Sequence, residues 1–233
     1  MSFSGALSAA AREVVADILG SDASDLGHAQ NVIVALDSSA SLQPRIAEGA
    51  VRAVLDVIAA VAERLGTGCE IIGTLAGTGT VLTRLPGVTA LTLVDTLLDA
   101  ASHQQPTTGF RIATRDVMPY APLSNVGRTP ATRTYLVTDT VPSNVAEFTA
   151  SAGSPHDTQH LVVLTSQSAW SLLRPPAVPC TVVDIQPGPL SPAEHLLHAP
   201  GALRDLIVSL LSRGPAEVAA ESAGPRTGRR AAR

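Results

Sequence analysis

Asn31-Val32-Ile33-Val34-Ala35-Leu36, running directly into Asp37-Ser38-Ser39-Ala40-Ser41, is the stretch on which the fold turns. The first six residues read as an apolar strand, and the next five place one carboxylate and two hydroxyls at alternate positions just beyond it. Alternate residues of an extended segment point the same way, so Asp37, Ser39 and Ser41 converge if the backbone curls over the carboxyl end of the strand. Three hard oxygen ligands suit Mg²⁺ or Mn²⁺ far better than zinc. Ser and Asp are also ordinary turn and helix-capping residues, and Ser41 alone can cap the helix that follows.

A second strand-like run, Thr134-Tyr135-Leu136-Val137-Thr138, also ends on a carboxylate, Asp139. Between the two lies the polar loop His103-Gln104-Gln105-Pro106-Thr107-Thr108-Gly109, which opens a predicted helix. Loops at strand carboxyl ends and helix starts are where an open α/β sheet collects its ligand. Working outward, helical spacing is predicted over residues 6–19, 42–65, 89–101, 108–118, 143–152 and 200–212, with a broken helix near Trp170. Further strands are predicted over residues 70–75, 80–83, 160–164 and 180–185, and a surface loop over 121–131. Strands separated by helices predict a doubly wound, mostly parallel α/β sheet with helices on both faces.

With its D-x-S-x-S cluster, mid-chain Thr and late Thr-Asp, the chain resembles the von Willebrand factor A domain, over about residues 30 to 212. The resemblance implies a Rossmann-like fold with one antiparallel edge strand, here the segment after Ala76-Gly77-Thr78-Gly79. It also implies a metal-ion-dependent adhesion site of Asp37, Ser39, Ser41, Thr108 and Asp139, holding Mg²⁺ or Mn²⁺ and leaving a coordination position for an Asp or Glu of a partner protein. Within the family the chain looks most similar to the bacterial type associated with tellurium resistance, through Thr108-Gly109-Phe110 followed by Arg115-Asp116-Val117. Two positions depart from the family pattern: Thr140 stands where Gly usually follows the carboxylate, and Pro106-Thr107 stand where glycines usually precede the loop Thr. Gly is favoured where the backbone needs positive φ or close approach to a ligand, so the last loop is expected to take a different course. Neither change removes an oxygen ligand.

Length and composition agree with one such domain. A chain of 233 residues that is 45% hydrophobic can bury one sizeable core, and at 3% aromatic that core must be built of Val, Leu, Ile and Ala. The expected organisation is an N-terminal helical extension over 1–29, packing on the sheet in preference to binding a partner. A core domain follows over 30–213, then a disordered tail over 214–233 that includes Arg226, Arg229, Arg230 and Arg233. The formal charge of −4 argues against a general nucleic-acid binder. The most apolar helix is interrupted by Glu48, Arg52, Asp56, Glu63 and Arg64, and no basic leader precedes an apolar stretch; membrane insertion and secretion are not expected, and the cytoplasm is the default location. Cys69 and Cys180 lack metal-ligand spacing and are expected to pack as small apolar residues.

Enzymatic readings fare poorly against what the chain lacks. It contains no lysine, which removes the phosphate-binding Lys of a P-loop and the amine of a Schiff base. A phosphohydrolase of the haloacid-dehalogenase type also starts with Asp after its first strand, but Ser39 sits where the acid/base Asp of that family would be. No G-x-S-x-G is present for a serine hydrolase. The histidines are scattered; His195 and His198 share i, i+3 spacing in a Pro-rich stretch and read as surface or packing residues, and His103 as a solvated loop residue. The expected function is therefore recognition, by a metal-dependent protein-binding module. The alternative is a metal-free scaffold in which the polar cluster satisfies loop amides.

Overall fold

The computed structural model describes residues 3–20, 30–77, 83–106, 132–141, 157–172, 179–185 and 188–212. Thr108, the expected helices over 108–118 and 143–152, the 121–131 loop and the 214–233 tail lie outside the described residues. Six strands form one sheet: β1 (Asn31–Asp37), β2 (Ile71–Ala76), β3 (Thr83–Arg84), β4 (Thr132–Thr138), β5 (Asp157–Val163) and β6 (Cys180–Val182). Their spatial order is β3-β2-β1-β4-β5-β6. Five of them run parallel, and β3 pairs antiparallel with β2 at the edge through Thr74 with Arg84 and Leu75 with Thr83. The chain thus builds outward from β1 in one direction, then returns to lay β4 against the other side of β1. The strand order reverses between β1 and β4, which is where sheets of this type open a crevice beyond their carboxyl ends.

β1 is buried along its whole length because β2 and β4 flank it and both faces are covered. Val32, Val34 and Leu36 face the main core with the helices, while Ala35, with Leu136, Leu161 and Val163, packs around Trp170 on the opposite face. Trp170 belongs to α5 (Gln167–Leu172). The main face is covered by α3 (Ala50–Leu65), which buries thirteen of its sixteen residues, mostly Ala and Val. Five alanines in that helix let its neighbours approach closely, which is how a core nearly without aromatic residues reaches close packing. Those neighbours include α4 (Leu93–His103), α6 (Pro192–His198) and α7 (Pro200–Leu211). Gly73 of β2 also has a packing reason: a Cβ there would sit 3.1 Å from Val88 and close to Leu93 and Leu97.

The N-terminal helix α1 (Phe3–Leu19) buries Leu7, Ala11 and Val15 against α3, α6 and α7 within the same core. Its outer contacts are polar: Arg12 pairs with Glu63 at 2.7 Å and Asp17 pairs with Arg204 of α7.

Several boundaries differ from expectation. The single helix expected over 42–65 is three pieces: a 3₁₀ turn Ala40–Leu42, a short α2 (Gln43–Ala47), and α3. The break is Gly49, whose φ of 81° is left-handed and ends the α-helical run before α3 restarts. The helix expected from 89 begins at Leu93, because Thr89 and Thr92 exchange hydroxyl and amide hydrogen bonds in a turn that replaces the first helical residues. The helix α6 was not expected at all, although Ser191-Pro192-Ala193-Glu194 forms a capping box at its start.

Core packing of α3 is therefore expected to dominate stability. Ile58→Ala, at a fully buried position, should lower the unfolding free energy by about 2–5 kcal/mol and Ile58→Val by about 0.5–1.5 kcal/mol. Urea titrations followed by circular dichroism measure both.

Candidate site at the strand crossover

The carboxyl ends of β1 and β4 lie side by side, and four of the five predicted site residues meet there. Asp37, the last residue of β1, is fully buried. The turn after it folds back so that the Ser39 N–H donates to Asp37 Oδ1 at 2.7 Å and the Ser39 hydroxyl donates to Oδ2 at 2.9 Å. Ser39 Oγ lies 3.0 Å from Ser41 Oγ, and the exposed Ser41 hydroxyl donates to Asp139 Oδ1 at 2.9 Å. A continuous chain of oxygens thus runs Asp37–Ser39–Ser41–Asp139, linking residues 98 positions apart in sequence. Ser38, the intervening residue, points the other way and anchors the turn by donating both its N–H and its hydroxyl to the Ala76 carbonyl at the end of β2.

One participant was missed in the sequence. Thr138, the last residue of β4, donates its hydroxyl to Asp37 Oδ2 at 2.8 Å and accepts the Thr140 N–H at 3.1 Å. It is completely buried. Its position directly before Asp139 in Val137-Thr138-Asp139 was the available signal: strand alternation sends Thr138 and Asp139 to different surroundings, so one reaches the buried Asp37 and the other the surface. Thr140 uses its amide to close this local turn. Pro106 is described but Thr108 is not, so the fifth predicted ligand lies outside the described residues.

The electrostatics of the cluster are lopsided. Burial pushes the Asp37 carboxyl above its ordinary value, and this outweighs the hydrogen bonds from the Ser39 amide, the Thr138 hydroxyl and the Ser39 hydroxyl that favour the ionised form; the nearby Asp139 charge adds to the upward push. Two carboxylates and the Ser39 and Ser41 hydroxyls make a hard-oxygen donor set, and a cation among them would offset both the burial and the mutual repulsion of the two acids. The residues present therefore fit Mg²⁺ or Mn²⁺. Among the described residues no group of three or more His, Cys, Asp or Glu is placed to hold a metal ion, so any ion here must rely on hydroxyl and water oxygens as well as the two carboxylates.

The remaining sequence candidates are placed elsewhere. His103 closes α4, its Nδ1 2.8 Å from the Asp99 carbonyl. His195 and His198 lie on α6. Cys69 and Cys180 are free and half-buried, and burial raises the thiol of Cys180 to about 11, out of the reactive range. No described helix is long and apolar enough to cross a membrane.

Set against known proteins, no protein-family model matches the chain, and no curated protein matches it.

The pKa shift of Asp37 has a defined sign. A carboxyl whose folded-state value is raised contributes stability that is fully present below its ordinary value of 3.8 and lost as pH rises through the folded value. In chelator-treated protein, Asp37→Asn is expected to gain stability relative to wild type between pH 3 and pH 7, as read from urea midpoints; a constant difference across that range contradicts the assignment. Thr138→Val keeps the shape but removes one donor to Asp37 and the acceptor of the Thr140 amide. It should cost about 1–3 kcal/mol at pH 7, measured the same way.

Proposed function

We propose that this chain is a protein-binding module of von Willebrand factor A type, in which a Mg²⁺ or Mn²⁺ ion held at the β1–β4 crossover captures a carboxylate of a partner protein. The observation that carries the reading is the oxygen chain Asp37–Ser39–Ser41–Asp139 at the point where the order of the described strands reverses. In this reading Asp37 and Asp139 supply the charge and Ser39 and Ser41 the neutral oxygens. Thr108, outside the described residues, is the further hydroxyl that the resemblance assigns to the site. Thr138 is a positioning residue that holds Asp37 by its Oδ2 and does not itself face the ion.

When bound, the ion supplies a positive centre for an incoming Asp or Glu. With only two carboxylates around a divalent cation the site keeps attraction for a third, and the attraction is stronger where water is partly excluded, as beside the fully buried Asp37. The sheet below contributes rigidity: β1 is pinned on both sides, and the turn carrying Ser39 and Ser41 is anchored to Ala76, so the hydroxyls are held in place before any ligand arrives.

A metal-free scaffold is the second reading, favoured by the fact that Asp37 already accepts three hydrogen bonds from its own chain. The two readings differ in titration. Isothermal titration of Mg²⁺ and Mn²⁺ into chelator-treated protein is expected to show saturable binding that is lost in both Asp37→Ala and Asp139→Ala, with each variant checked for folding by circular dichroism. Absence of binding to folded wild type would remove the metal-dependent reading and leave the scaffold.

A further inference from the structure

Between α1, α3 and α4 lies a cleft of about 470 Å³, well away from the strand crossover in sequence and built on different elements. Its floor carries Asp56, a carboxylate only 5% exposed in the middle of the otherwise apolar buried face of α3. A buried charge of this kind is costly unless compensated. The Ser4 and Ser8 hydroxyls and the nearby Arg52 charge favour the ionised form of Asp56, and burial outweighs them. Ser4 Oγ donates to Asp56 Oδ2 at 2.7 Å, and Ser8, one turn further along α1, donates its hydroxyl to the Ser4 carbonyl at 3.1 Å. The Ser8 hydroxyl also interacts with the Asp56 carboxylate; each hydroxyl has one proton, spent on acceptors of the chain itself, so both seryl oxygens and the carboxylate offer the cleft lone pairs. The two guanidiniums that line the cleft are directed to other acids: Arg12 to Glu63 at 2.7 Å and Arg52 to Asp95 at 2.9 Å. Those pairs cancel locally and leave the charge of Asp56 as the surplus.

Acceptors at the bottom, a single surplus negative charge and apolar walls from Ala59, Leu91 and Val94 specify the complement closely. A primary ammonium has three donors and no acceptor, and on an aliphatic stem it puts methylenes against such walls. A planar guanidinium is held best by both oxygens of one carboxylate, and Oδ2 of Asp56 already takes the Ser4 hydroxyl at 2.7 Å, which leaves the point-like ammonium the better match. The chain has no lysine of its own to fill the position. The mouth is open to solvent, with Leu91 77% exposed beside it, as suits a side chain that enters from another protein's surface. We propose that this cleft is a second interaction site, which takes a lysine side chain of a partner protein with its ammonium on Asp56, Ser4 and Ser8. In support, burial, with a smaller push from the Asp95 charge, raises the Asp56 carboxyl more than the Ser4 hydroxyl, the Arg52 charge and the Ser8 hydroxyl pull it down, and a seated cation opposes that rise.

The test uses the full chain with Nα-acetyl-lysine methylamide as probe, followed by amide chemical shifts in ¹⁵N-labelled protein. Saturable shifts are expected at residues around Ser4, Ser8 and Asp56, with a dissociation constant of about 1 mM, the scale of one anchored side chain. Asp56→Asn keeps the shape and is expected to weaken binding at least tenfold, roughly what loss of one partner from a buried charge pair costs. Ser8→Ala, which leaves the carboxylate in place, should weaken it about threefold, the lower end of a single neutral hydrogen bond. The norleucine analogue, with the same stem and no charge, should not bind. The assignment is overturned if the lysine probe gives no saturable shift, if Asp56→Asn binds it as well as wild type, or if the norleucine analogue binds equally.

Discussion

A carboxylate buried where two parallel strands part company is the constraint around which the upper edge of the sheet is organised. Asp37 must be buried because β1 is the central strand and its last residue lies between the ends of β2 and β4. Left without partners, such a charge would be far more costly than the stability of a domain allows. The chain meets the cost locally and remotely at once: Ser39 folds back within the same turn, and Thr138 reaches across from β4, 101 residues further along. One carboxylate therefore closes the turn after β1 and ties the two strands that define the crossover. The same hydrogen bonds hold Ser39 beside Ser41, and Ser41 beside Asp139. The geometry proposed for metal binding is thus a by-product of how the buried acid is satisfied.

The opposite end of the sheet solves a different polar problem. Arg133, 2% exposed, donates to the Leu210 carbonyl at 2.8 Å, and the Tyr135 hydroxyl donates to the same oxygen at 3.0 Å. Together they cap the carboxyl end of α7, where unsatisfied carbonyls and the helix dipole favour a cation. Beside them His160 is buried, 2.6 Å from the Thr181 hydroxyl, and burial with the Arg133 charge lowers its pKa to about 3, so it is neutral throughout the physiological range. A polar cluster fastens the last helix at one end of the sheet while another presents oxygens to solvent at the other. The apolar strands and α3 between them hold the two ends apart.

The parts of this architecture that were legible in the sequence share one property: their signal is local. Apolar runs such as Val32–Leu36 and Tyr135–Val137 announce strands whatever surrounds them, and the alternation of Asp37, Ser39 and Ser41 can be read within five residues. The convergence of Asp139 on that cluster was inferred from order along the chain, and the β1–β4 pairing realises it. What escaped was either non-local or masked by a competing signal. Nothing near Arg133 or His160 indicates burial, since the groups that receive them, Leu210 and Thr181, are far away in sequence. Apolar periodicity resumes after Gly49 and so masks the break there, where a left-handed φ splits the segment. The capping box of α6 is a spacing signal, Ser191 with Glu194, set among Pro189, Pro192 and two histidines whose composition reads as a loop.

The central claim, that the oxygens gathered around Asp37 bind a divalent cation, is tested most directly by paramagnetic broadening. Mn²⁺ added at substoichiometric amounts to ¹⁵N-labelled protein should erase the amide signals of Ser38 to Ser41 and of Asp139 and Thr140 first, and leave those of α6 and α7 sharp. Broadening centred elsewhere, as on His195 and His198, or no selective broadening at all, would contradict it.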